Sequence, residues 1–285
     1  MRARKAIAAG DEITVSYLAE EALLESTASR RTQLEATKHF LCNCGTCSAT
    51  LDLVRGFACP GCKEGEVFLD VRGERPASAA QGACRRCGFL PDARQVSDLA
   101  KQEARIEELV QEWDRRMGKT GTGPENLLTD AIAAKMEQSF RGLFSARHWL
   151  RDRAAQHLVT YYEATGNAEK ALPLAQGCAS FAEEVYGFSA LHAWALETQG
   201  DLQLKLLGFR LVSRTGVEAP ASLAPEVLAR AWREVGPVYM KASESLRALF
   251  GAEHEFFAIL RDKRDALAKV TTTQKLGTGH LSVAN

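Results

Sequence analysis

The first hydrophobic positions of the chain alternate with polar ones. Ile13, Val15 and Tyr17 follow a turn at residues 9–11 and are separated by Thr14 and Ser16, the period-two pattern of a half-buried strand. Residues 18–39 are mostly helical in character and end just before the first cysteine. The pattern therefore predicts one strand followed by helix.

Periodicity then fades between Cys42 and Cys87, where glycine, proline and cysteine are frequent. Such a composition is typical of turns and loops, and the polar insertion at residues 72–81 is predicted to be a mobile loop. We expect few strands here. Residues 1–41 and 42–96 are accordingly predicted to be two successive N-terminal regions.

Helical periodicity dominates after Ser97, which is predicted to cap a long helix. Its apolar residues recur at spacings of seven, four, three and four: Leu99, Ile106, Val110, Trp113 and Met117. Further helices are predicted at residues 125–140, 146–164, 168–186, 189–207, 225–250 and 252–270. These helices form a predicted domain over 97–270, and the polar residues 271–285 are predicted to be a disordered tail.

The helical region contains signs of a repeat. Tyr162, Gly166 and Ala171 have the spacing of a tetratricopeptide helix–turn–helix unit, in which a small residue lets two helices approach. An irregular helical bundle is the alternative. The predicted fold is mainly α, with a small, strand-poor, zinc-binding N-terminal region and a tetratricopeptide-like array at the C-terminus.

Composition and charge narrow the range of functions. Hydrophobic residues make up 46% of the 285, and 36 basic residues balance 36 acidic ones, so the formal net charge is zero. This balance argues against direct nucleic-acid binding, which Arg85-Arg86 and the basic first residues would otherwise favour. The sequence shows no run of membrane-spanning length and no leader, which indicates the nucleus or the cytoplasm and no membrane partner.

Cysteine spacing points to metal binding. Seven of the eight cysteines lie between residues 42 and 87, and such clusters hold zinc in a reducing compartment or form disulfides in an oxidising one. The missing leader favours zinc. Two Cys-x-x-Cys pairs can together form a closed, tetrahedral, structural zinc site: Cys59, Cys62, Cys84 and Cys87.

A second cluster offers only three thiols: Cys42, Cys44 and Cys47. A closed structural zinc site needs four ligands, and His39 is one candidate for the fourth. Another is a residue from a part of the protein outside this sequence. Cys178 lies in an apolar helical stretch and is interpreted as a small buried hydrophobic residue.

The order of these motifs resembles a known family. Residues 10–17, Gly-Asp-Glu-Ile-Thr-Val-Ser-Tyr, are similar to the last motif of SET-domain methyltransferases, and Arg30 and Leu34 follow it. Residues 40–47, Phe-Leu-Cys-Asn-Cys-Gly-Thr-Cys, resemble the post-SET zinc motif. With the second zinc motif and the helical tail, the chain resembles the C-terminal portion of SET–MYND protein lysine methyltransferases.

The resemblance implies roles for two aromatic residues. Tyr17 would be the active-site tyrosine that aligns the lysine amine of a protein or peptide substrate, histones included, with the methyl group of S-adenosylmethionine. Phe40 would pack on the adenine of that cofactor. From the residues alone, Tyr17 can equally be the inward aromatic of a strand, and Phe40 a core anchor beside a zinc cluster.

One part of the family pattern is missing. The Asn-His-Ser-Cys segment that supplies cofactor contacts and a fourth zinc ligand in this family does not occur in the sequence. We therefore expect this chain alone to be inactive as a methyltransferase. The alternative is a non-catalytic, zinc-bearing helical-repeat module that binds a peptide in its concave face.

Overall fold

The computed structural model describes residues 6–70, 82–118 and 129–277, which are mainly helical. These residues form two compact units, one of residues 15–161 and one of residues 162–277 together with 6–14. The predicted loop at 72–81 lies outside the described residues. The predicted region boundary at 41/42 falls within the first unit.

The first unit begins with helices α1 (Glu20–Leu23) and α2 (Thr27–Lys38). Ser26 caps α2, because its hydroxyl accepts a hydrogen bond from the Ser29 N–H at 3.1 Å. Arg30 and Leu34 on α2 are both buried, and Arg30 donates to the hydroxyl of Thr27. Helix α2 thus lies directly before the first cysteine cluster.

The predicted strand at residues 13–17 is wrong. Ile13 is 74% exposed and Tyr17 is 62% exposed, and the segment joins no sheet in the part of the chain that the structure describes. A strand needs a partner for its backbone groups and a surface to cover. The described residues offer neither to this segment.

A three-stranded antiparallel sheet was not predicted. It consists of β1 (Leu51–Ala58), β2 (Glu66–Asp70) and β3 (Phe144–His148), in the order β2-β1-β3. Strand β1 buries four consecutive residues, 54–57, so its sequence does not alternate. Strand β3 occupies the start of the predicted helix 146–164, and helix α5 (Trp149–Ala164) begins only after it.

Helix α3 (Ala93–Gly118) begins earlier than predicted. Asp92 caps it by accepting from the Gln95 N–H at 2.8 Å, and the Gln95 side chain accepts from the Asp92 N–H at 2.9 Å. Ser97 therefore lies inside the helix and does not cap it. The predicted apolar stripe is confirmed where side chains are described: Leu99, Ile106, Val110 and Trp113 are buried.

A buried ion pair joins α3 to the sheet. The Arg55 guanidinium on β1 donates to both carboxylate oxygens of Glu103 on α3, at 3.0 and 2.5 Å. His148 on β3 is fully buried, with its Nε2 3.4 Å from the same carboxylate. Helix α4 (Asp130–Phe140) also belongs to this unit, and the rings of Phe140 and Phe144 lie 5.9 Å apart in a tilted arrangement.

The second unit follows the predicted helices closely. Helices α6 (Ala168–Tyr186) and α8 (Pro225–Phe250) have the predicted bounds, and α7 (Ala190–Leu206) lies between its predicted ends. Helix α9 (Glu255–Gly277) runs past residue 270, so residues 271–277 are helix and not the predicted disordered tail. Residues 278–285 lie outside the described part.

Three of these helices meet around one tyrosine. Tyr239 on α8 is fully buried, and a side chain at Gly200 on α7 would bring its Cβ within 2.5 Å of the Tyr239 ring. The Tyr239 hydroxyl donates to Asp201, which also accepts from the buried Lys263 of α9 at 2.8 Å. A short hairpin, β4 (Arg210–Val212) and β5 (Gly216–Glu218), lies between α7 and α8 in sequence.

The Arg55–Glu103 pair makes a prediction about stability. Burial alone would raise the pKa of Glu103, but hydrogen bonds from His148 and Arg55 outweigh it and lower the pKa to about 2. The carboxylate therefore stabilises the fold fully above about pH 4.5, and this contribution is lost as the pH falls toward 2. Glu103→Gln leaves Arg55 buried without its charged partner, at a cost of about 3–5 kcal/mol in the free energy of unfolding.

Urea unfolding of the variant measures this loss, with Glu108→Gln on the exposed side of α3 as the matched control. The control should change the free energy by less than about 0.5 kcal/mol. Stability should also depend less steeply on pH below 4.5 in Glu103→Gln than in the wild-type chain. Equal stability of the two variants would contradict this account of the ion pair.

Candidate metal centre

Four thiols converge where the sheet meets the start of α3. Cys59 and Cys62 follow β1, and Cys84 and Cys87 precede α3. The sulfurs of Cys59 and Cys87 are 3.6 Å apart, and those of Cys62 and Cys84 are 3.8 Å apart. All four sulfurs lie within 4.8 Å of one another. We call this set the four-cysteine cluster.

These distances suit a metal ion and exclude disulfides. A disulfide requires sulfurs about 2.05 Å apart, far less than the separations in this cluster. Tetrahedral zinc with Zn–S bonds of about 2.3 Å places its sulfurs about 3.8 Å apart, close to the observed separations. The four-cysteine cluster could therefore hold a metal ion such as zinc.

The two halves of the cluster have the same backbone geometry. The Cys59 carbonyl accepts from the Lys63 N–H at 2.9 Å, and the Cys84 carbonyl accepts from the Gly88 N–H at 2.8 Å. Lys63 and Gly88 both have positive φ, 61° and 73°. Each Cys-x-x-Cys pair thus closes a turn that ends on a left-handed residue, and this turn points both thiols to the same side.

Gly65 leaves room for the sulfurs. A Cβ at this position would lie 2.3 Å from the Cys84 sulfur and 3.4 Å from the Cys62 sulfur. The Gly65 N–H also donates to the Cys62 sulfur at 3.3 Å. Backbone hydrogen bonds from Glu64 and Gly65 lower the pKa of Cys62 to about 6. A thiol of this kind is largely thiolate, the form that binds metal, at neutral pH.

The second set, Cys42, Cys44 and Cys47, is confirmed as a group, and we call it the three-cysteine cluster. Its sulfurs lie within 4.8 Å of one another, with Cys44 exposed and Cys47 buried. The Arg31 guanidinium on α2 donates to the carbonyls of Cys42 and Cys47, at 3.3 and 2.9 Å. Burial raises the pKa of Cys47 to about 11. This group could also hold a metal ion.

His39 does not complete the three-cysteine cluster. It ends α2 in the left-handed conformation, with φ of 58°, and its side chain is exposed. Among the described residues, no histidine, aspartate or glutamate joins the three thiols within 4.8 Å. Cys178 is buried in α6 of the other unit, as its interpretation as a hydrophobic residue requires.

Tyr17 and Phe40 are brought together. Their ring centroids are 5.9 Å apart in an edge-to-face arrangement, and the Lys38 ammonium lies 5.8 Å from the Tyr17 centroid. Phe40 is 39% exposed. Neither ring is buried in a core of the residues that the structure describes.

Sequence reasoning missed the residues that shape the clusters. Gly65, Lys63 and Arg31 contact the cysteine loops without being ligands. A glycine three residues after Cys62 and a glycine directly after Cys87 were visible signals, whereas the left-handed conformation of Lys63 had none. The role of Arg31 had no such signal, because it acts from a separate helix.

Gly65→Ala should abolish metal binding at the four-cysteine cluster, because the new Cβ overlaps the Cys84 sulfur. Zinc content after gel filtration measures this directly. Gly45→Ala is the matched control: Gly45 lies beside the other cluster, has no neighbour within 4 Å of a Cβ and does not have positive φ. Retention of zinc at Cys59 and its partners in Gly65→Ala would refute the assignment.

Removal of the metal should unfold only one unit. Without a metal ion, the two Cys-x-x-Cys turns of the four-cysteine cluster are no longer held together. A strong chelator should therefore disrupt the unit of residues 15–161 and leave α6–α9 helical. Falling pH should act in the same direction, since protons compete with the metal for thiolates. Circular dichroism with limited proteolysis tests this, and complete loss of helix would show that the two units do not fold separately.

None of the described helices is long and apolar enough to cross a membrane. The two cysteine clusters and the Tyr17–Phe40 pair are the features on which the functional proposal rests. The sequence matches no known protein family and no curated protein sequence.

Proposed function

We propose that this chain is the C-terminal part of an S-adenosylmethionine-dependent protein lysine methyltransferase of the SET–MYND type. The observation that carries the proposal is the pairing of Tyr17 with Phe40 beside the three-cysteine cluster. Two exposed aromatic rings held edge to face are costly to leave in water, and they suit a site that is covered by another group. The resemblance assigns the phenol of Tyr17 to the substrate amine. It assigns the apolar ring face of Phe40 to the adenine of the cofactor.

Tyr17 would act by positioning. S-adenosylmethionine supplies a methyl group on a sulfonium sulfur, and transfer requires the lysine nitrogen to lie in line behind that carbon. The Tyr17 hydroxyl can hydrogen-bond the neutral amine and restrict its approach. The lysine ammonium would lose a proton to solvent before attack, and the methyl carbon would then pass from sulfur to nitrogen with release of S-adenosylhomocysteine, so no strong base is required of this residue.

The exposed apolar residues near the start of the chain support the same proposal. Ile13 and Val15 are 74% and 50% exposed, and Leu41 is 65% exposed. In a complete enzyme these residues would be covered by the preceding part of the catalytic domain. The same part would supply the fourth ligand that the three-cysteine cluster needs to hold zinc tetrahedrally.

The helical unit would serve substrate recognition. We assign it a tetratricopeptide-like arrangement, supported by the successive packing of α6 against α7, α7 against α8 and α8 against α9. The partner would be a protein or peptide that presents a lysine, with histones among the candidates. Nuclear and cytoplasmic locations both fit such partners.

A second candidate function is a zinc-bearing module that binds another protein without catalysis. It is favoured by Trp232 and Met240 on α8, which are 42% and 44% exposed with the buried Gly236 between them. Aromatic residues and methionine are enriched where proteins bind one another. This function would not need Tyr17.

The test uses the protein isolated from its own cells. We expect mass spectrometry to show a species heavier than 31.1 kDa, with peptides ahead of Met1. This species should methylate lysine in a histone mixture when labelled S-adenosylmethionine is supplied. Tyr17→Phe, which removes only the hydroxyl, should lower the rate by about 100-fold. Tyr186→Phe in the helical unit is the matched control and should leave the rate unchanged.

Two outcomes would decide against the enzyme. A native species of 31.1 kDa without methyl transfer would favour the binding module. An active enzyme whose rate is insensitive to Tyr17→Phe would remove the role assigned to that residue.

A further inference from the structure

Lys38 is a charged residue that lies against the candidate active-site tyrosine. It is the last residue of helix α2, and its ammonium lies 5.8 Å from the centroid of the Tyr17 ring. Both residues are exposed. Phe40 contacts the same ring edge to face, with the two centroids 5.9 Å apart. Tyr17 therefore has one apolar neighbour and one cationic neighbour.

The end of α2 brings these two neighbours to one ring. His39 adopts the left-handed conformation, with φ of 58°, and its N–H donates to the Glu35 carbonyl at 3.1 Å. A left-handed residue turns the chain sharply where a helix ends. Lys38 and Phe40 lie on either side of this turn, and both side chains reach Tyr17. The local fold thus places the cation beside the phenol.

Two ordinary roles do not account for this placement of Lys38. A lysine in the last turn of a helix interacts favourably with the helix dipole, but it does so without contacting an aromatic ring. A cation near an exposed ring gains little from that contact. In the part of the chain that the structure describes, no acidic side chain forms an ion pair with Lys38. Its charge is therefore available to act on a group that approaches Tyr17.

A substrate lysine reaches such a site in the wrong protonation state. Its pKa is ordinarily about 10.4, so nearly all of it is ammonium at neutral pH. Only the neutral amine has the lone pair that attacks a methyl carbon. The proposed function assigns the proton to solvent and no base to Tyr17. The fraction of neutral amine then limits the rate of methyl transfer.

We propose that Lys38 promotes the deprotonation of the substrate lysine, an inference that rests on the proposed function. A second cation close to an ammonium lowers the pKa of that ammonium, because two positive charges repel each other. An amine held by the Tyr17 hydroxyl would lie close to the Lys38 ammonium. Exclusion of water from a covered site would strengthen the repulsion.

Lys38 takes no part in the bonds that change. The substrate ammonium releases one proton to water. The lone pair of the neutral nitrogen then forms the N–C bond while the S–C electron pair returns to sulfur, which gives S-adenosylhomocysteine and a methylated ammonium. Lys38 acts on the first of these steps through its electric field alone.

Other charged groups belong to the elements next to Lys38 in the sequence. They are Glu35 and Arg31 on α2, Glu20 and Glu21 on α1, and the thiols Cys42, Cys44 and Cys47. The Arg31 guanidinium is bound to the carbonyls of Cys42 and Cys47. A zinc ion would offset the negative charge of the thiolates that hold it. All these groups stay unchanged in the variants of Lys38, so their effects cancel in the comparison.

The experiment measures kcat against pH with the same native species that tests the proposed function. A lysine peptide and S-adenosylmethionine are both saturating, because kcat then reports ionisations within the bound complex. Lys38→Met removes the charge, so the acidic limb of the profile should move up by about one pH unit. At neutral pH, kcat should fall about tenfold. Lys38→Arg keeps a cation and should keep the wild-type profile.

The two kinetic constants separate this role from a structural one. Without Lys38 the charged form of the substrate lysine is no longer repelled, so KM should fall together with kcat. Damage to the fold would instead lower kcat and raise KM. Lys101→Met changes another exposed lysine, on α3, and is the matched control. It should alter neither constant.

Three results would overturn the inference and leave the proposed function standing. The first is an active enzyme whose pH profile is the same in Lys38→Met as in the wild type. The second is a Lys38→Arg profile that matches Lys38→Met. The third is a methyl group on Lys38 itself, found by peptide mass spectrometry, because Lys38 would then be a substrate. Absence of methyl transfer in the wild type would overturn the proposed function, and this inference with it.

Discussion

Thiolates that lie 3.6–3.8 Å apart repel one another strongly unless a cation stands between them. This constraint governs the first unit, because the loops that carry the four thiols are also the connections of β1 and the approach to α3. Once a cation centres the cluster, the ends of these elements are fixed. The Arg55–Glu103 pair then ties the middle of β1 to the middle of α3. A metal ion in the four-cysteine cluster would thus hold β1 and α3 at their ends, whereas the Arg55–Glu103 pair holds them at their middles.

The second unit depends on close packing and needs no metal. Gly200 lets α7 approach the ring of Tyr239, and Lys263 reaches the Asp201 carboxylate from α9. A buried lysine is tolerated because Glu197 and Asp201 both accept hydrogen bonds from it. Both units thus contain a buried ion pair, and the first unit in addition brings four thiols together.

Elements with local signals could be predicted from the sequence. Helices α6 and α8 were predicted with their full bounds, since Asn167 caps the first and Pro225 begins the second. The pairing of four cysteines was equally predictable, because ligand spacing is a local property. The strand at residues 13–17 failed because a strand also requires a partner, which no local pattern contains. Strand β3 was missed because its partner β1 is distant in sequence, and β1 was missed because the buried residues 54–57 do not alternate with polar ones.

The four-cysteine cluster also closes a loop of the chain, because it brings the pair Cys59 and Cys62 next to the pair Cys84 and Cys87. The entropy of closing a loop grows only logarithmically with its length, so doubling the segment between Cys62 and Cys84 would cost about 0.6 kcal/mol. The ligand geometry itself does not depend on that length. Outside Gly65 and strand β2, this segment should therefore tolerate changes of length and the insertion of a reporter peptide. A fluorophore placed there would report on the metal without touching a ligand.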